Sequence, residues 1–345
     1  MAVFKLVLEN IDKGMAGQNV GLPMGLPKLS SYICDVQKGR YDLIAGKTSS
    51  GKTAFADQCY VLNPFNYSRT QAAKDRNVKL DILYHSLEIS AEEKFAKMAV
   101  RQLYEQFGIV SDFRELLSLG GYKMSPELRQ KVEELKPWFD ELEERVSMMD
   151  TYTTPDAIGR QIMDFAAANG TFEDVGGRTV YTPNHPNHFV IVLVDTINLI
   201  EPGPKQTLKE AIDDLSKKFI WFRNVCKFTL VPIQQFNANV SDPRRTAQGN
   251  LEPISDDIED SKRPSKDCNT FIAIFDPFEV KIKNHRGYDI TRLRTRFRQI
   301  QVLKNRNGDR GARLGLHFAG HLGLFQELPK GDEMTDADYL RCDNL

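Results

Sequence analysis

Cysteine is scarce and scattered in this chain. Cys34, Cys59, Cys226, Cys268 and Cys342 form no C-x-x-C pair and are odd in number, which argues against a disulfide framework or zinc knuckle and fits a reducing cytosol. Long apolar runs are missing as well. Nowhere do eighteen apolar residues follow one another, and the opening MAVFKLVLENIDKG carries an acid and lacks a signal-peptide core, so a cytoplasmic protein without a membrane partner is expected. No fixed-period repeat or low-complexity tract is present, which sets solenoids and propellers aside. A charge excess is absent too: the formal net charge is −1, so any nucleic-acid partner must be held by a local patch.

What is there reads as one large α/β domain. The 345 residues suffice for a single such domain with insertions. After Gly- and Pro-rich turns at 21–27, YDLIAG at 41–46 reads as a short buried strand followed by a helix from Gly51. LDILYHSLE at 80–88 is a second strand, and Ser90 with Glu93 three residues on predicts a capped helix through about Tyr104. Residues 125–145 read as one charged helix, 147–150 as a strand, 154–168 as a helix and 171–187 as a loop or hairpin insertion. FVIVLVD at 189–195 is the strongest candidate for a buried parallel strand. A helix with Leu208, Ala211, Ile212, Leu215, Phe219 and Phe222 on one face follows, then strands at 226–235, 270–277 and 297–305. The alternation predicts a mostly parallel, doubly wound sheet flanked by helices.

One motif carries chemistry on its own. Gly46-Lys47-Thr48-Ser49-Ser50-Gly51-Lys52-Thr53 matches G-x-x-x-x-G-K-[ST] between a strand and a helix, the context a phosphate-binding loop requires. Its glycines let backbone N–H groups wrap a polyphosphate at a helix N-terminus. Lys52 would meet the β- and γ-phosphates of ATP, and the Thr53 hydroxyl would ligate Mg²⁺. Asp195, ending the apolar strand, is the candidate acid on the magnesium side, although alone it reads equally well as a turn residue. Glu88 stands at a strand end where a base could orient water, a weak signal by itself.

Several segments together resemble one family, the DnaB-type replicative helicases, whose motor is a RecA-like P-loop ATPase. HSLEIS at 85–90 resembles the family's S-L-E-M-S, which implies Glu88 as catalytic. VLVDTINLI at 192–200 resembles its acid-bearing strand and implies Asp195 for magnesium. PIQQFN at 232–237 resembles L-S-Q-L-N and implies that Gln235 senses the γ-phosphate. LKNRNG at 303–308 resembles K-x-R-x-G, implying that Lys304 and Arg306 reach the nucleotide of a neighbouring subunit. Spacing alone favours a solvated basic strand end there; two cations two apart on a strand can nevertheless converge on one phosphate.

The resemblance implies a motor domain over 21–330, preceded by a linker-like segment at 1–20 and followed by an acidic tail at 331–345. The helical collar domain has no counterpart, so primase loading through it is not expected, and a phage or mobile-element host is suggested. The loop DIEDSKRPSKDCN at 257–269 departs from the family, with Glu259 where an arginine is usual. Expected partners are single-stranded DNA, other copies in a ring, six being the expected number, and replication proteins. The family's DNA loops correspond to about 201–207 and 237–250, which hold Lys205, Arg244 and Arg245.

Residues 281–313 carry eleven Lys or Arg against Asp289 and Asp309. If extended, Arg292, Arg294, Arg296 and Arg298 would share one face, for phosphate binding or for pairing with an acidic surface such as 249–260. The leading expectation is a DNA-translocating helicase motor. A RecA-type recombination or nucleoprotein-remodelling ATPase and a nucleotide-gated assembly protein stay open beside it.

Overall fold

A computed structural model of the chain describes residues 3–237, 245 and 252–344. Its strands among the described residues are β1 (Asp42–Gly46), β2 (Lys79–Ser86), β3 (Val146–Met149), β4 (Gly170–Asp174), β5 (Thr179–Pro183), β6 (His188–Asp195), β7 (Thr229–Gln235), β8 (Thr270–Phe275), β9 (Asn284–His285), β10 (Tyr288–Asp289), β11 (Phe297–Asn305), β12 (Arg313–Ala319) and β13 (Leu324–Glu327). Nine form one sheet in the order β13-β12-β11-β8-β1-β7-β6-β2-β3. The pairings from β8 to β3 are parallel. Those of β11, β12 and β13 are antiparallel, a flank that the apolar pattern did not separate from the rest.

Strand β6 shows why its sequence is continuously apolar. Ile191 and Leu193 enter the core on one face of the sheet, while Val190, Val192 and Val194 enter the core on the other. Only a strand covered by helices on both faces loses the polar alternation of a half-exposed one. The covering helices start where capping predicts. Ser90 Oγ accepts from the Glu93 amide at 3.2 Å at the head of Ala91–Phe107, and Thr207 and Glu210 form a capping box ahead of Leu208–Val225.

Two expectations are corrected. The helix read over 125–145 is two, Pro126–Glu134 and Lys136–Arg145, and the break precedes Pro137, which has no N–H to continue the first helix. The arginine run does not lie extended. Asp289 caps a short helix, Ile290–Leu293, by accepting from the Thr291 and Arg292 amides, and a 3₁₀ turn covers Arg294–Arg296, so only Arg298 falls in β11. The guanidinium groups diverge: Arg292 pairs with Asp336 at 2.7 Å, Arg296 with Asp343, and Arg298 turns inward. Residues 331–344 include the helix Asp336–Asp343, whose Tyr339 and Cys342 pack with Tyr288, Ile290, Leu293 and Phe297. The insertion is the β4–β5 hairpin, which rests on the helix Leu208–Val225 by stacking Phe172 on Trp221.

Two buried histidines make stability depend on pH. Neither ring nitrogen of His85 has a hydrogen-bond partner among the described residues, and burial lowers its pKa to about 4. Burial, with help from Arg296, lowers His317 to about 4 as well. The unfolded chain binds these protons near pH 6.5 and the native chain does not. Stability from both is therefore full above pH 6.5 and falls as the pH drops towards 4, by roughly 1.4 kcal/mol per pH unit for each. Urea titrations across that window should show the slope, and His85→Phe should remove about half of it. An unchanged slope in the variant would contradict the assignment.

Candidate active site

The phosphate loop leaves the end of β1 at the centre of the sheet. Gly51 has φ 92°, and a Cβ there would lie 3.0 Å from ring atoms of Phe318 and Phe325. At Gly46 a Cβ would meet Ser50 Oγ at 2.5 Å and the Ile274 carbonyl at 3.0 Å. Both positions admit only glycine, for conformation at one and for space at the other. The helix that follows begins at Lys52 and continues through a π-helical stretch, Asp57–Leu62, to Ser68. Lys52 Nζ donates to the Lys47 carbonyl at 2.7 Å, inside the loop's own curve. Burial lowers the pKa of Lys52, while Asp195, Glu88, Glu259 and Glu279 oppose that shift. Ser50 Oγ is buried with no partner among the described residues.

Asp195 arrives from the C-terminal end of β6. Its Oδ1 accepts from Thr53 Oγ1 at 3.1 Å, so the two candidate magnesium ligands already touch. A hydroxyl, a carboxylate and an ammonium beside a glycine-bounded loop form a donor set that fits a polyphosphate with a hard divalent cation. Glu88 and Gln235 line the same cleft, of about 520 Å³, as Thr48, Ser49, Gly51, Lys52 and Thr53. Glu88 is exposed at the mouth. Gln235 is fixed through its backbone, its N–H donating to Asn198 Oδ1 at 2.9 Å and its carbonyl accepting from the Glu259 amide at 3.0 Å. The departing segment 257–269 therefore begins beside this candidate cleft, and Glu259 acts electrostatically on Lys52.

Sequence reasoning missed several ionised groups here. Arg298, expected to share a face with Arg292, Arg294 and Arg296, is instead 4 % exposed and braces the phosphate loop from behind. Its Nε donates to the Ser50 carbonyl at 2.8 Å, and its guanidinium pairs with Asp276 at 2.9 Å. Lys47 pairs with Glu279 at 2.6 Å. Beneath Asp195 lies Lys94, fully buried with Tyr84 and beside Asp57. A signal for Lys94 existed: it shares a helix face with Met98 and Arg101, at spacings of four and three, and that face is buried.

Lys304 and Arg306 lie elsewhere. Strand β11 runs antiparallel to β8, pairing Lys304 with Phe271 and Asn305 with Thr270, while Thr270 pairs with Asp42 at the start of β1. The two cations thus sit at the edge of the sheet opposite the phosphate loop, a strand length of roughly 13 Å or more away. They do lie together. Lys304 Nζ donates to the Ser265 and Lys266 carbonyls at 2.9 and 2.7 Å, and Arg306 to the Lys266 carbonyl at 3.1 Å. Among the candidate DNA-binding residues, Lys205 is exposed after β6, and Arg245 pairs with Asp257 at 2.7 Å. Arg244 lies outside the described residues. Arg286 and Arg313 both pair with Glu252, so part of the basic stretch is neutralised within the chain.

No protein-family model matches the sequence, and no curated protein does. Solved structures do. One, an isolated ATPase domain, superposes with a TM-score of 0.70 at 17 % identity, over 95 % of this chain and 100 % of that one. A DnaB-like replicative helicase, described with its interactions with primase, gives a TM-score of 0.67 at 16 % identity, over 95 % of this chain and 67 % of that one. At these identities the likeness is one of fold. The chain has the RecA-like P-loop ATPase fold in the form adopted by DnaB-type motor domains.

Proposed function

We propose that this protein is an ATP-hydrolysing DNA helicase motor of the DnaB type, whose catalytic sites are completed between subunits of a ring. The observation that carries the proposal is the division of the machinery across the sheet. Lys52, Thr53, Glu88 and Gln235 line one cleft, with Asp195 bonded to Thr53 beneath it, while Lys304 and Arg306 stand together on the opposite edge. A cation pair so far from its own phosphate loop is useful to a nucleotide only in a neighbouring copy.

In this mechanism the loop amides and Lys52 hold the β- and γ-phosphates, and Glu88 orients the attacking water and accepts its proton. Mg²⁺, held by Thr53 and Asp195, would offset phosphate charge. Arg306, with Lys304, stabilises charge developing on the γ-phosphoryl group from the neighbouring subunit. Gln235 carries the loss of the γ-phosphate into residues 237–250, which with 201–207 track single-stranded DNA through Lys205, Arg244 and Arg245. Such tracking needs backbone contacts and little base reading. Replication proteins are the expected further partners.

ATP turnover measured with and without single-stranded DNA, followed by unwinding of a 5′-tailed fork, tests this reading. DNA-stimulated turnover with unwinding is expected. Stimulation without unwinding would instead identify a recombination-type or remodelling ATPase, and turnover indifferent to DNA a nucleotide-gated assembly protein.

A further inference from the structure

Three polar side chains gather around the candidate magnesium acid Asp195: Lys94 and Tyr84, both buried, and Asp57, part-buried at the wall of the cleft. Lys94 is 0 % exposed, Tyr84 0 % and Asp195 1 %, while the Asp57 side chain is 13 % exposed. Lys94 Nζ donates to Tyr84 OH at 2.6 Å, to Asp195 Oδ2 at 3.3 Å and to Asp57 Oδ2 at 3.5 Å. An ammonium has three hydrogens, and these are its three acceptors. Tyr84 OH lies 2.7 Å from Asp57 Oδ1 and 3.4 Å from Asp195 Oδ2, so its single proton goes to Asp57. Asp195 Oδ2 is left to Lys94, and its other oxygen, Oδ1, faces Thr53.

The four groups come from four elements. Asp57 is one turn beyond Thr53 on the phosphate-loop helix, Tyr84 is on β2, Asp195 ends β6, and Lys94 is on the helix that begins just after Glu88. Burying an ammonium is costly unless every hydrogen finds an acceptor, and burying two carboxylates beside it is costly without that ammonium. Packing alone would be served by an apolar side chain at 94. A metal-binding carboxylate, by contrast, depends on a partner that fixes its free oxygen.

We infer that Lys94 is a positioning residue for metal binding: by holding Asp195 Oδ2 it turns Oδ1 towards Thr53 and so sets the affinity of the site for Mg²⁺, separately from the grip of the loop on phosphate. This rests on the ATP–Mg²⁺ reading of the cleft. A rival role, in which Lys94 only neutralises Asp57, makes a different prediction, because removing both of those charges together would then restore the site.

The test compares wild type, Lys94→Met and the double variant Asp57→Leu/Lys94→Met, which removes the buried cation with a buried anion and so protects the fold. A fluorescent ATP analogue is bound first in EDTA, then with increasing Mg²⁺, and bound Mn²⁺ is read by electron paramagnetic resonance. In the double variant, metal-free nucleotide binding should stay within about twofold of wild type. The half-saturating Mg²⁺ and Mn²⁺ concentrations should rise about tenfold, the size of one charge-assisted hydrogen bond. A double variant with wild-type metal dependence would overturn the inference while leaving the nucleotide site intact. Wild-type protein that binds no analogue at any metal concentration would overturn the reading of the cleft and this inference with it.

Discussion

Replacing Arg306 by alanine is expected to lower ATP turnover by roughly a thousandfold, the scale on which an arginine supplied to a transferring phosphoryl group acts. The affinity of the nucleotide for the loop should change far less. Arg306 holds one carbonyl, that of Lys266, through its side chain, and its backbone amide donates separately to Asn269, so the turn at the end of β11 keeps an anchor in the variant. The cause of the loss is separable by mixing. Arg306→Ala protein contributes intact phosphate loops, and Lys52→Ala protein contributes intact arginines. At equal random mixing, about one interface in four unites both intact parts, and turnover should recover in proportion. A mixture as inactive as its components would sink the shared site.

Lys52→Ala is the second large effect, expected at roughly a hundred- to a thousandfold in turnover, comparable with removal of one preorganised donor to a developing charge. The surroundings make the effect more than a lost contact. Glu88, Asp195, Glu259 and Glu279 all act electrostatically on Lys52, so its removal leaves a triphosphate facing carboxylates with only backbone amides in between. Nucleotide binding should weaken along with turnover. Thermal stability should hardly change, because among the described residues the ammonium makes one hydrogen bond, to the Lys47 carbonyl. A variant that hydrolyses ATP within tenfold of wild type would exclude the loop as the catalytic phosphate site.

The parts of this protein legible in its sequence are those whose physics is local. A phosphate loop is a contiguous motif, and β6 announces itself because burial on both faces demands an unbroken apolar run. Ser90 and Thr207 foretell helix starts because a cap is a contact across three residues. The antiparallel flank was less legible: β12 alternates exposed, glycine and histidine positions, and direction is set by partners rather than by composition. The buried polar cluster was hidden for a different reason. Lys94 meets Asp195 across 101 positions, and Arg298 meets Ser50 across 248, so no window contains both members. Charged residues are ordinarily read as surface, whereas Lys94 and Arg298 are buried.

In the proposed motor, the opposite placement of the phosphate loop and the Lys304–Arg306 pair would give each subunit a loop edge and a cation edge. In a ring the contacts that unite them run head-to-tail, the loop edge of one copy meeting the cation edge of the next. An open row of n copies then completes n − 1 sites and leaves one idle loop and one idle arginine at its ends, whereas closure completes n. Under the proposed reading, turnover per copy should climb with protein concentration and level off where rows close, so that dilution alone would switch the motor off.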